Sequence, residues 1–161
     1  MQALQVHIRK VRKSDIERIV DIERSWFHLS HWSIDSYYRL LSDDGFTTSF
    51  VAESEDEETR LTIAGFVIFH VAAGVSEIYN IAVDSSYARQ GIGRRLLASA
   101  IEESKNRKAT RVVLEVRKSN SGAIQFYDEF HFHVIGERKN YYSNPIEDAF
   151  VMEFQIAEAS V

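Results

Sequence analysis

The 161-residue chain contains no cysteine, and that one absence removes a good deal of chemistry. Disulfides, cysteine-ligated zinc, iron–sulfur clusters and an acyl-cysteine intermediate are all excluded. An acyl group moved by this protein would therefore pass by direct transfer. No apolar run approaches the roughly 18 residues of a membrane span, and the opening MQALQVHIRK lacks the apolar stretch of a signal peptide and already reads as a strand. The expectation is a cytoplasmic protein with no membrane partner. Basic residues are also in short supply: 19 Lys and Arg against 24 Asp and Glu leave a net charge of −5 and a pI of about 5.7. Nucleic acid, whose general binders rely on many phosphate contacts from Lys and Arg, is not an expected partner. A positively charged amine suits the acidic balance better. Internal repeats and low-complexity segments are missing too. What remains is a globular profile, 45% hydrophobic and 27% charged, long enough to bury a core as a single domain over residues 1–161.

Along the chain, Leu4, Val6 and Ile8 alternate with Gln5, His7 and Arg9 as in a half-buried strand. Ser14 and Glu17 have capping-box spacing, and Ile16, Ile19, Val20, Glu23 and Phe27 recur at helical intervals, so a helix is expected over about 14–27. The aromatic stretch Phe27 to Trp32 reads either as packing under the next helix, expected at about 34–41, or as a wall for a substrate. Phe46 to Glu53 and Leu61 to His70 read as a hairpin across a solvated acidic loop, with Ala64 and Gly65 marking a bulge or a close backbone approach. Further strands are expected at 77–83, 111–116, 132–138 and 149–155, and helices at about 93–106 and from Asn120 to about Phe130. The pattern is an α/β (α+β) mixed sheet, in which the helical crossover implies parallel pairing of the strands at 77–83 and 110–117.

The most informative stretch is Asn80 to Leu97, NIAVDSSYARQGIGRRLL. A buried strand (Ile81, Ala82, Val83) leads through a polar turn into Arg89-Gln90-Gly91-Ile92-Gly93-Arg94 and a helix. Glycines let the backbone N–H groups approach a ligand, and the helix N-terminus favours negative charge there, so the loop can cradle a phosphate. A glycine pair before a helix also fits an ordinary tight turn. A Walker loop is excluded because no Lys-Ser or Lys-Thr follows, and a dinucleotide fingerprint because Leu96 stands where its third glycine belongs.

Several other residues carry two readings. Glu115, inside Val112-Val113-Leu114-Glu115-Val116, either faces solvent or is buried with a raised pKa suited to a general base. Glu77 on the neighbouring strand could share that role, but structural ion pairing fits it better. Tyr127 reads as a core aromatic beside Ile124, and Asn120 as an N-cap. Tyr141 and Tyr142 fall on a loop between the last two strands. The histidine pairs His28/His31 and His131/His133 lack a third ligand at metal-site spacing, so no metal is expected.

Taken together, these motifs resemble the GNAT superfamily of N-acetyltransferases, whose acyl-CoA pyrophosphate loop reads Gln/Arg-x-x-Gly-x-Gly/Ala between a strand and a helix. Tyr79-Asn80-Ile81-Ala82-Val83-Asp84, Leu114-Glu115-Val116-Arg117, Ser119-Asn120, Ala123-Ile124, Phe126-Tyr127, Asn140-Tyr141-Tyr142 and Glu147-Asp148-Ala149 look like the RimI group of ribosomal-protein-alanine N-acetyltransferases and the similar archaeal N-terminal acetyltransferases. The resemblance runs from about residue 6 to 154, with two departures, Ala88 at the first loop position and His131 where a glycine is usual. It implies a twisted, mainly antiparallel sheet of about seven strands with two central splayed parallel strands and about four helices. It further implies acetyl-CoA as cosubstrate, held by Ile81, Ala82, Val83, Arg89, Gln90, Gly91, Ile92, Gly93, Arg94, Asn120 and Tyr127. Catalysis would fall to Glu115 as base and Tyr127 as donor to the thiolate. Phe27, Trp32, Glu77, Tyr79, Tyr141 and Tyr142 would meet the acceptor, the N-terminal α-amine of a protein or peptide, with a ribosomal protein among the candidates. Lysine or a small amine as acceptor, or acyl-CoA binding without catalysis, are the competing readings.

Overall fold

A computed structural model describes residues 5–26, 32–42, 45–55 and 60–157. They build one seven-stranded sheet in the order β1-β2-β3-β4-β5-β7-β6. The strands are β1 Val6–Lys10, β2 Thr47–Glu55, β3 Leu61–Ala72, β4 Val75–Val83, β5 Arg111–Arg117, β6 His133–Ser143 and β7 Ile146–Gln155. The helices are α1 Ile16–Arg24, α2 Ile34–Leu40, α3 Ile92–Asn106 and α4 Ser121–Glu129. Every neighbouring pair is antiparallel except β4 and β5, which are parallel as the crossover through α3 requires.

Two cores form on the two faces of the sheet. Ile16, Ile19, Val20 and Ile22 of α1 and Tyr37 of α2 pack on Val51, Ile63, Phe66 and Ile68. On the other face Ile92, Leu96, Leu97 and Ala100 of α3 meet Val67, Phe69, Ile78, Val112 and Leu114, with Tyr127 of α4 and Phe132 alongside. Ile16, Ile19, Val20 and Glu23 of the row expected for the first helix are thus buried, while Phe27 lies outside the described residues. The start of α1 differs. Lys13–Asp15 form a 3₁₀ turn, and the Asp15 carboxylate accepts from the Arg12 N–H at 2.7 Å, so Ser14 lies inside the turn instead of capping it with Glu17.

Two bulges shape the centre. Ala52 pairs with Gly65 and Glu53 with Ile63, leaving Ala64 as the extra residue of β3. Gly65 is also a close approach, since a Cβ there would lie 2.8 Å from the Ala82 carbonyl oxygen. In β4, Asn80 pairs with Ile68 but Ile78 with Phe69, which leaves Tyr79 extra. Beyond this bulge the alternation of β4 changes phase. Ile78 belongs to the α3 face, Asn80 bonds Tyr37 on the α1/α2 face, and Ile81 and Val83 return to the α3 face.

The parallel pairing of β4 with β5 extends only from Val75/Arg111 to Glu77/Val113, although β4 continues to Val83 and β5 to Arg117. The two strands splay apart. On the far side, β6 runs through Tyr141 and Tyr142 to Ser143, so these tyrosines lie in a strand and not in a loop. The register from Arg138/Ala149 to Tyr142/Glu147 sets Lys139, Asn140 and Tyr141 against Asp148 alone, a wide bulge that left the sequence pattern looking like a turn. His131 sits at φ 65, the left-handed conformation that the usual glycine adopts without cost.

Because the Gly65 approach is to backbone, Gly65→Ala should lose about 1–3 kcal/mol in denaturant unfolding. Gly136→Ala, which would meet nothing within 4 Å, should stay within about 0.5 kcal/mol. Equal stability of the two variants would rule out the close packing of β3 on β4.

Candidate active site

Beyond Glu77 the gap between β4 and β5 opens on the α3 face into a cleft of about 380 Å³. Ile81, Ala82 and Val83 form one wall, Asn120, Ala123, Phe126 and Tyr127 the other, and Gly93 the end. A second, adjoining hollow of about 650 Å³ continues past Gly93 along Arg89, Gly91, Ile92 and Arg94. Of the residues expected to hold the cosubstrate, all but Gln90 line one hollow or the other.

The loop is built as its sequence requires. Gly91 caps α3 at φ 76, Arg89 is also left-handed at φ 60, and the first intrahelical bond runs from the Arg95 N–H to the Gly91 carbonyl at 3.1 Å. The amides ahead of Arg95 therefore have no intrahelical acceptor and sit at the positive end of a 15-residue helix. A diphosphate fits this cradle, and the apolar slot beside β4 fits a pantetheine arm. Arg94 is committed elsewhere, paired with Glu129 and set 5.5 Å from the centre of the Phe130 ring. Asn120 accepts from the Ala123 N–H at 3.2 Å and lines the cleft as well, so both expected roles are compatible. Tyr127 is 8% exposed, its hydroxyl makes no hydrogen bond among the described residues, and burial first and Tyr142 second push its pKa up.

Trp26 was not among the expected residues. It lines both hollows and donates its indole N–H to the Val83 carbonyl at 2.9 Å. Its spacing of four from Ile22 was the one signal in the sequence, although α1 ends at Arg24 and Trp26 is exposed.

The opposite face of the splay carries the titratable groups. Glu115 is 11% exposed by its side chain and accepts from Arg138 Nε at 3.0 Å, a partner on β6 that no local sequence pattern pairs with it. Glu77 of β4 pairs with His70 of β3 and lies within the field of Glu115. It makes no ion pair among the described residues, contrary to expectation. Burial first and the Glu115 charge second push its carboxyl above the ordinary value, against opposing effects of Arg138 and His70. Tyr141, half exposed, feels both carboxylates and stands 5.9 Å from Arg138, ring centre to guanidinium. Tyr142 turns inward, under the Arg117 guanidinium at 4.1 Å. Tyr79 stacks on His70 with centres 5.9 Å apart and meets Trp32 edge-on at 6.0 Å. Phe27 lies outside the described residues, as do His28 and His31. Among the described residues no group of three His, Cys, Asp or Glu could hold a metal ion.

The family model for the acetyltransferase (GNAT) family matches residues 15–132, which include the cradle, both cleft walls and Glu115. The chain belongs to the acetyltransferase (GNAT) family. Like its family, it is an acetyl-CoA-dependent N-acetyltransferase. A Bacillus subtilis (strain 168) protein provisionally named [ribosomal protein bS18]-alanine N-acetyltransferase is 35% identical over 151 residues, 94% of this chain and 96% of its own. The solved ribosomal-protein-S18-alanine N-acetyltransferase of Escherichia coli superposes with a TM-score of 0.82 at 30% identity, covering 97% of both chains. Arabidopsis thaliana NAA60, solved with acetyl-CoA, shares the fold at a TM-score of 0.83 and 19% identity over 94% of this chain and 99% of its own.

A carboxyl whose pKa is raised by folding contributes its stability at acid pH and loses it as pH rises through the folded value. For this acetyltransferase, Glu77→Gln should therefore gain stability relative to the parent as pH rises above the ordinary carboxylate range, the side on which a raised Glu77 must ionise. Parallel stability–pH curves for the two proteins would contradict the strain assigned to Glu77.

Proposed function

We propose that this acetyltransferase acts on the α-amino group of a protein N-terminus, of the alanine-first ribosomal kind that its relatives' names describe, in a ternary complex with acetyl-CoA. The observation that carries this reading is the placement of acid–base groups on both sides of one splay. Tyr127 stands in the cosubstrate cleft, while Glu115 and Glu77 stand on the acceptor side, beside a wall of Tyr79, Trp32 and Tyr141.

In the proposed step the amine nitrogen attacks the thioester carbonyl. Glu115 takes the proton that the nitrogen loses, the C–N bond forms, the C–S bond breaks, and the Tyr127 hydroxyl gives its proton to the departing sulfur. Burial keeps that hydroxyl protonated at neutral pH, as a donor must be. Arg138 holds Glu115 in place without blocking both of its oxygens. An α-amine, with pKa near 8 against about 10.4 for lysine, has roughly two orders of magnitude more neutral form at pH 7. One modest base is enough for it. Lysine or small-amine acceptors, and a non-catalytic role, find less support, since both acid–base positions are filled and relatives matched over nearly their whole length are named as ribosomal-protein-alanine N-acetyltransferases.

A peptide with a free N-terminal alanine should be acetylated there by mass spectrometry, and the same peptide with a blocked terminus and an internal lysine should react poorly. Glu115→Gln should lower kcat by about 10²–10⁴-fold with partial recovery at alkaline pH, and Tyr127→Phe by a similar factor. Equal rates on the blocked lysine peptide would reject the N-terminal reading. An unchanged pH–rate profile in Glu115→Gln would remove the base role from that residue.

A further inference from the structure

Glu23 stands at an inward position of α1 and is fully buried, an acidic side chain in a row otherwise made of Ile16, Ile19 and Val20. It also occupies the last turn of its helix, where the dipole disfavours negative charge. Burying a carboxylate there carries a desolvation cost that packing alone would not require, since an apolar residue of similar size would fill the core as well. What Glu23 does there is bridge separate elements. Its Oε1 accepts from the backbone N–H of Trp32, just ahead of α2, at 2.8 Å, and its Oε2 accepts from the hydroxyl of Tyr37 in the middle of α2. That hydroxyl in turn accepts from Asn80 Nδ2 at 3.4 Å, and Asn80 is the residue after the Tyr79 bulge. The Trp32 ring packs on Tyr37 at 5.5 Å and on Tyr79 at 6.0 Å. One carboxylate is thus tied to two of the three aromatic residues of the acceptor wall, to Trp32 directly and to Tyr79 through Tyr37 and Asn80.

The geometry points to Glu23 as a positioning residue for acceptor binding, which through Trp32 and the Tyr37–Asn80 chain fixes the aromatic wall beside the β4 bulge. This rests on the acceptor side proposed above and goes beyond it by naming a buried residue that never touches the peptide. None of Glu23, Trp32, Tyr37 and Asn80 lines the cosubstrate cleft or the hollow beyond it, so the effect falls on the acceptor.

Glu23→Gln keeps the shape but gives up one of the two acceptors, and Tyr37→Phe removes one bond from the other end. Acrylamide quenching of Trp32, read in a Trp26→Phe background and compared only with that background, should rise in both variants, while KM and Kd are read in variants that keep Trp26. Peptide KM should rise about tenfold or more, the loss expected for one hydrogen bond to a charged group, while the acetyl-CoA Kd from calorimetry stays within about twofold. The double variant should cost no more than the larger single one, because both cut the same chain. Unchanged quenching, or raised quenching with unchanged peptide KM, would overturn the assignment, as would an acetyl-CoA Kd that weakens in step with KM. Should Glu23→Gln not fold, Tyr37→Phe carries the same test. If the parent acetylates no peptide terminus, it is the proposed function that fails, and quenching alone then decides whether Glu23 holds Trp32.

Discussion

The backbone hydrogen bonds that β4 and β5 do not make are the constraint on which this molecule turns. Three residue pairs hold them together, from Val75/Arg111 to Glu77/Val113, and then the strands part inside an otherwise continuous sheet. Unpaired backbone groups in a protein interior are costly unless another partner satisfies them. Trp26 satisfies one, the Val83 carbonyl, from two residues beyond the end of α1. The remainder of the gap is a slot with polar backbone on the β4 side and the apolar face of α4 on the other, which is what an extended amide-bearing chain such as pantetheine needs.

The Tyr79 bulge is the second half of the same device. A regular β4 would keep Tyr79 on the opposite face from both Ile78 and Asn80; the extra residue allows Tyr79 and Asn80 to share the α1/α2 side and sends Ile81 and Val83 to the cleft. In the proposed reaction cosubstrate and acceptor approach from opposite sides and meet at the splay, with Tyr127 on one side and the Glu77–Glu115 pair on the other. Arg138 moderates the repulsion of that pair by binding Glu115, which leaves Glu77 as the carboxyl that burial and its neighbour disturb.

What was legible in the sequence was local. Gly91 at φ 76, Asn120 capping α4, the buried row of α3 and the crossover from β4 to β5 are all written within a few residues of where they act. The acetyltransferase resemblance added the expectation of a splay and the roles proposed for Glu115 and Tyr127. What was not legible depends on partners far along the chain. Tyr141 and Tyr142 looked like loop residues because Lys139 to Tyr141 bulge against Asp148, a fact of register and not of composition. The Arg138–Glu115 pair, the absence of an ion pair at Glu77 among the described residues, and the use of Asp15 in place of Ser14 at the start of α1 likewise follow from which strand or turn lies alongside. Glu23 showed up only as an acidic residue in an inward row, and its purpose needed the positions of Trp32, Tyr37 and Asn80.

Hydrogen–deuterium exchange with and without acetyl-CoA tests the central role of the splay most directly. The account predicts that acetyl-CoA slows exchange in peptides covering Asn80 to Val83 and the cradle from Arg89 to Arg95, while β1 and β2, paired already, do not change. Protection absent from the Asn80 to Val83 segment, with acetyl-CoA bound, would contradict it.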